Sequence, residues 1–219
     1  ILIVAILIFS VKVLAWFLTH SLAILTDALE SIVNVLAGAL GLYGLSVASK
    51  PKDREHPYGH GKAEYLSSAA EGVFILLAGL YIIYQAIRSF FEPHVIEDLQ
   101  IGIALMAFTA ILNYAVGEYC ERKGKKNNSL QLVAAAKHLK TDTISTAALI
   151  VGLILLYFTG IQFLDGLIAL LASGFIIFTG AKVLKLSIGG MMDEADKDLL
   201  ERMVKLLNEK RRENWIDLH

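Results

Sequence analysis

Four polar side chains interrupt apolar stretches of this sequence in two matching pairs. Glu30 and Asn34 lie four residues apart within ALESIVNV, and His138 and Asp142 lie four apart within AKHLKTDT. Residues at that spacing share one helix face. Each stretch therefore presents two N/O donors side by side. A carboxylate, an amide oxygen, an imidazole and a second carboxylate make four ligands, and two helices offering two each can close a tetrahedron around a divalent cation such as Zn²⁺. Without a thiolate this set is harder than a structural zinc site, which suits an ion that must leave again.

A second cluster lies in KPKDREHPYGHGK. Asp53, His56 and His60 are spaced by three and four, Pro57 stiffens the middle, and Gly59 and Gly61 free the backbone around the second imidazole. Two imidazoles and a carboxylate within eight residues make a compact metal site. The same residues also suit a solvated polar loop whose histidines cap neighbouring helices, and spacing alone does not choose between the two.

The elements that carry these groups are membrane spans. Of the 219 residues, 56% are hydrophobic and only 19% charged, more apolar than an ordinary soluble domain. A net charge of -1 offers no basic excess for nucleic acid. The single cysteine, Cys120, excludes a disulfide framework and a Cys-rich metal knuckle. Apolar segments long enough to span a bilayer, about 20 residues, fall near 1–18, 22–48, 64–91, 99–120, 132–158 and 162–188. The first has no basic flank and no small-residue cleavage site, so it reads as a truncated transmembrane helix and not a signal peptide.

Loop charge sets the expected orientation. The 2–3 loop carries Lys50, Lys52, Arg54 and Lys62, and the 4–5 loop carries Arg122, Lys123, Lys125 and Lys126, whereas the alternate loops TH, EPHVIED and TGIQF carry no Lys or Arg. The positive-inside rule puts the basic loops and both chain ends in the cytoplasm. Arg88, near an outer helix end, can snorkel to the interface. After the sixth span, Leu199, Leu200, Met203, Val204, Leu206 and Leu207 recur at helical spacing among charges, describing an amphipathic soluble helix. Acidic residues of 193–198 are expected in its first turn and Lys210, Arg211 and Arg212 at its end, and WIDLH reads as the start of a strand. The expected domains are therefore 1–190, a six-helix transmembrane domain, and 191–219, the start of a truncated cytoplasmic domain.

A carboxylate at the centre of a span costs about 3 kcal/mol on insertion scales and marks ion pathways or relays. Other arrangements remain open for single residues. Asp27 fits a helix-end position near the outer interface, Lys137 and Lys140 fit the cytoplasmic edge, and Glu30 can pair with Lys140. A single salt bridge, however, needs neither His138 nor Asn34.

SLAILTDALES in the second span, HPYGHGKAEY opening the third and KHLKTD in the fifth together resemble the cation diffusion facilitator family of divalent-metal/proton antiporters. The resemblance covers essentially the whole chain. It implies an all-α membrane domain of six transmembrane helices, then a cytoplasmic α/β metallochaperone-like domain, acting as a homodimer by alternating access. Residue by residue, it implies that Glu30, Asn34, His138 and Asp142 form the transport site. It matches Asp53, His56 and His60 to a loop site of zinc-transporting members, and Lys62 with Asp193 to a salt bridge near the membrane boundary that helps hold the dimer. The second-helix pair departs from the family pattern, being Glu then Asn where Asp or His then Asp is usual. An amide removes one formal negative charge, so Zn²⁺ is the first expectation while Fe²⁺, Mn²⁺, Co²⁺ or Cd²⁺ fit the same four groups.

Metal binding requires deprotonated ligands, so the expected chemistry is metal-for-proton exchange, with net export into the inward proton gradient from a bacterial-type plasma membrane. Asp27, one turn outward of Glu30, either tunes that site, lines its exit or serves as the helix end. An intramembrane metalloprotease would need an HExxH string, which the sequence lacks. A structural or regulatory membrane subunit, its polar pairs only locking helices together, is the competing class.

Overall fold

The computed structural model describes residues 2–92, 96–127, 130–194 and 197–210. Its elements are seven helices: α1 Leu2–Thr19, α2 Leu22–Ala48, α3 Lys62–Phe91, α4 Leu99–Lys126, α5 Leu130–Thr159, α6 Phe163–Met191 and α7 Lys197–Glu209. Among the described residues there is no strand. Helices α2 to α6 are long and apolar enough to cross a membrane, and α1 is a shorter apolar helix of 18 residues. The chain is a multi-pass, all-α membrane protein. WIDLH, Arg211 and Arg212 lie outside the described residues, and Asp193 and Glu194 precede α7 instead of filling its first turn.

Two packing groups make the bundle. Helices α3 and α6 lie against each other along much of their length, while α4 pairs with α5 and α1 touches both α2 and α4. The α3–α6 contact is close because glycine faces backbone across it. A Cβ at Gly72 would stand 2.9 Å from the Leu184 amide nitrogen, and one at Gly180 would stand 3.2 Å from that of Leu76. Small residues let helix backbones approach where lipid supplies no hydrophobic drive between helices. Ala15, Ala23, Ile24, Met106, Leu149, Leu153 and Leu156 form a buried cluster from α1, α2, α4 and α5. Outward faces carry large apolar side chains such as Phe17, Phe108, Phe158 and Phe178, as a lipid-facing surface requires.

At the end of the bundle bearing the short turns, Asp165 of α6 is fully buried and serves the start of α2. Its carboxylate accepts from Ser21 Oγ at 2.6 Å, Leu22 N at 2.7 Å and Ala23 N at 3.3 Å. An acid against orphan N–H groups complements the positive end of the helix dipole. Ser21 also caps α2 directly, accepting from Ile24 N. These bonds fix the axial position of α2, and with it the depth of Asp27, Glu30 and Asn34.

Candidate metal centre

The facing sides of α2 and α5 hold the first set of polar groups. Asn34 Nδ2 donates to Asp142 Oδ2 at 3.2 Å, and His138 Nε2 stands 3.8 Å from the same oxygen. Asp142 is 15% exposed and His138 58%. Two of the four groups expected from the sequence, Asn34 and His138, thus converge on one carboxylate oxygen of a third, Asp142. Glu30 is partly buried and within electrostatic reach of Asp142 and Asp27. It does not join His138 and Asp142 in a tight cluster, for among the described residues the metal-capable triad with ligand atoms within 4.8 Å of one another is Asp53, His56 and His60.

Two alternatives left open by the sequence are now closed. Lys140 does not pair with Glu30; its Nζ lies 2.8 Å from Glu118 Oε2 and 2.5 Å from Glu121 Oε2, both on α4. The reason is register, since Lys140 shares the side of α5 that packs on α4, where Gly117 also lies against its stem. Nor is Asp27 an interfacial helix end. It is 1% exposed, its Oδ2 is 2.6 Å from Lys12 Nζ, and its Oδ1 accepts from Thr146 Oγ1 at 3.0 Å.

Sequence reasoning missed Lys12, because span averaging hides one ammonium among apolar neighbours. The signal was present, for a lysine in mid-span must find a partner. It also missed Glu71 of α3, half-buried and within electrostatic reach of His138, and Thr146, whose hydroxyl joins α5 to the Lys12–Asp27 pair.

The loop between α2 and α3 builds the second centre within itself. Asp53 Oδ1 accepts from the His56 backbone N–H at 2.6 Å and lies 3.2 Å from His56 Nδ1, while Asp53 Oδ2 lies 3.4 Å from His60 Nε2. The bond from the His56 amide holds the Asp53 carboxyl below the usual carboxylate range. The two imidazole rings stand 4.3 Å apart. His60 is 12% exposed, and its Nδ1 is buried without a hydrogen-bond partner. Two imidazoles, one carboxylate held ionised and an unsatisfied ring nitrogen suit a borderline divalent ion, with solvent supplying a fourth ligand. Gly59, at φ 93, makes the turn that brings His60 back toward Asp53.

Nearby, Lys62 Nζ reaches Asp193 Oδ2 at 2.8 Å and the Met191 carbonyl at 2.9 Å, joining the start of α3 to the end of α6 as the resemblance implied. Both charged groups are exposed, so this pair stabilises by less than about 1 kcal/mol.

A family profile described as the cation efflux transmembrane domain matches residues 1–192. The chain belongs to the cation efflux family, the cation diffusion facilitators. It is similar to an uncharacterized transporter of Synechocystis, 39% identical over 186 residues, which are 85% of this chain and 60% of that protein. It is also similar to the cation-efflux pump FieF of Pectobacterium carotovorum, 27% identical over 89% of this chain and 65% of that protein. A third relative is the manganese efflux system protein MneP of Bacillus subtilis, 27% identical over 87% of this chain and 66% of that protein. This family member therefore spans about 60–65% of the length of the first two relatives.

Proposed function

We propose that this chain is the membrane part of a secondary transporter that moves a divalent transition-metal cation, zinc first among the candidates, in exchange for protons. The cation site is Glu30, Asn34, His138 and Asp142. One observation carries the reading: groups from two helices, Asn34 of α2 and His138 of α5, converge on Asp142 Oδ2.

The chemistry follows from the donor types. A half-turn of the Asn34 amide about its last torsion exchanges Nδ2 for Oδ1, so the partner of Asp142 changes from an N–H to a cation shared between two oxygens. His138, the most exposed member of the set, supplies an imidazole, the side chain that titrates near neutrality in water. Binding needs that ring neutral and the carboxylates ionised, so the cation and protons compete for the same groups. Glu30 completes the set when α2 and α5 draw together around the ion.

With the basic loops in the cytoplasm, the cation enters from the loop end and leaves toward the short turns. The manganese named for MneP keeps Mn²⁺ beside Zn²⁺ as cargo, with Fe²⁺, Co²⁺ and Cd²⁺ open to the same donors. Asp53, His56 and His60 hold a resident ion off the transport path. Residues 191–219 begin a cytoplasmic domain, and the working unit is a homodimer in a bacterial-type plasma membrane. The reading makes the chain a transporter and not an enzyme.

The test is uptake by proteoliposomes offered a panel of divalent metals under an imposed pH gradient. Gradient-driven uptake that Asp142→Ala abolishes, with folding retained, is the expected result. Unchanged uptake by a folded Asp142→Ala variant removes the proposed site, and absence of any flux favours a structural subunit.

A further inference from the structure

Lys12 is a positive charge in mid-span, 2% exposed, and it is matched to Asp27, which is 1% exposed. Their 2.6 Å contact ties α1 to α2, and the 3.0 Å bond from Thr146 Oγ1 adds α5. Asp27 precedes Glu30 by three residues on α2, which places their Cβ atoms about 5–6 Å apart on one face. Thr146 follows Asp142 by four on α5. Both Glu30 and Asp142 lie within electrostatic reach of Lys12 and of Asp27. The buried pair thus lies about one helical turn from Glu30 and Asp142 and acts on both electrostatically.

We propose that Lys12 sets the charge, and so the divalent-cation affinity, of that site: its ammonium cancels Asp27, leaving Glu30 and Asp142 as two negative charges set against a divalent cation. The proposal rests on the transport site named above. Asn34 obeys the same count, because a carboxylate there would raise the uncompensated charge to three. Of the two lysines on α5, Lys140 is committed to Glu118 and Glu121 and Lys137 is exposed, and neither acts on Glu30 or Asp142 as Lys12 does. Glu71 of α3 is partly buried and within reach of His138, but unlike Lys12 and Asp27 it does not act on Glu30 or Asp142. In a site of low effective dielectric a surplus negative charge retains the ion and slows its release, while a deficit weakens capture.

The experiment is calorimetric titration of Zn²⁺ into the full chain in detergent, with His56→Ala and His60→Ala present so that only the membrane site reports. Lys12→Met is expected to bind about tenfold or more tightly, Asp27→Asn about tenfold or more weakly, and the double variant within about threefold of the parent. A pair that merely braced three helices would weaken binding whichever partner was removed. Shifts of the same sign, or no shift, overturn the proposal. Should Lys12→Met fail to fold, the double variant must still bind more tightly than Asp27→Asn, and Lys12→Arg must keep the parent affinity; either failure overturns it. Asp142→Ala in the same background separates the two readings. If it leaves Zn²⁺ binding intact, the transport site falls and the proposal with it. If it removes binding while the Lys12 and Asp27 variants move together, only the role of Lys12 falls.

Discussion

Two polar clusters bridge α2 and α5, and they are built to opposite standards. Lys12, Asp27 and Thr146 close on one another at 2.6 and 3.0 Å, with the two charged residues at 1–2% exposure. Asn34, His138 and Asp142 meet at 3.2 and 3.8 Å, with Asp142 15% and His138 58% exposed. Removing one partner from a closed buried ion pair strands a charge and costs about 3–5 kcal/mol. The looser cluster exchanges partners cheaply, since each group has water or a neighbour within reach. The same two helices therefore carry a fixed charge pair and, toward the loop end, a set of donors fit to take up and release an ion.

The largest expected effect that sharpens this contrast comes from Asn34→Asp. It replaces the neutral member of the loose cluster by a carboxylate facing Asp142, adding a negative charge within direct reach of the proposed cation. Divalent binding is expected to tighten by about tenfold or more, with slower release, a changed ranking of metals and a changed pH profile. Unchanged ranking and unchanged pH profile in the proteoliposome assay would show that Asn34 does not touch the ion. Asp27 is then a poor replacement, because Lys12 and Thr146 already occupy its oxygens.

A smaller and different effect is expected from Thr146→Val, which keeps the shape and every charge but removes the hydroxyl that bonds Asp27. A hydrogen bond to a charged group contributes about 1.5–3 kcal/mol. Thermal or denaturant unfolding in detergent should register that loss, while metal affinity stays within about threefold of the parent because the charge count is unchanged. Equal stability would mean that water replaces the hydroxyl and that the cluster is less closed than its exposures say. A large loss of affinity would mean that geometry, and not charge, links it to the loose cluster.

What the sequence revealed and what it hid follow the same division. The spans were legible because bilayer thickness demands long apolar runs: 22–48 coincides with α2, and the reading at 162–188 lies within one to three residues of α6. The i, i+4 pairs were legible because polar residues stand out against such runs. Lys12 stands out as well, but nothing local to α1 says what it faces; its partner lies on the next helix and its second neighbour on the fifth. Lys140 shows the converse. Its sign and depth invited a pair with Glu30, yet a rotation about the α5 axis turns it toward α4 and two carboxylates there. Helix rotation is set by packing against neighbours, which a one-chain pattern does not contain. The grouping of Asp53, His56 and His60 was visible in sequence, since the three side chains lie within eight residues and meet without a distant partner.

That independence makes the loop the place where the smallest effect on transport is expected. His56→Ala with His60→Ala removes both imidazoles from a centre whose bonds are all internal to residues 53–60. Metal stoichiometry in equilibrium dialysis should fall while gradient-driven uptake continues. Acidification supplies the second arm. Asp53 has a carboxyl lowered below its ordinary range by the His56 amide, so its contribution is fully present above the unfolded value and is lost only as pH falls through the lowered one. Asp53→Asn removes that carboxylate and should weaken binding of the loop ion throughout the pH range in which Asp53 is ionised. Binding untouched by Asp53→Asn, or a stoichiometry untouched by the double alanine variant, would return the loop to a solvated segment whose histidines contact only each other and Asp53.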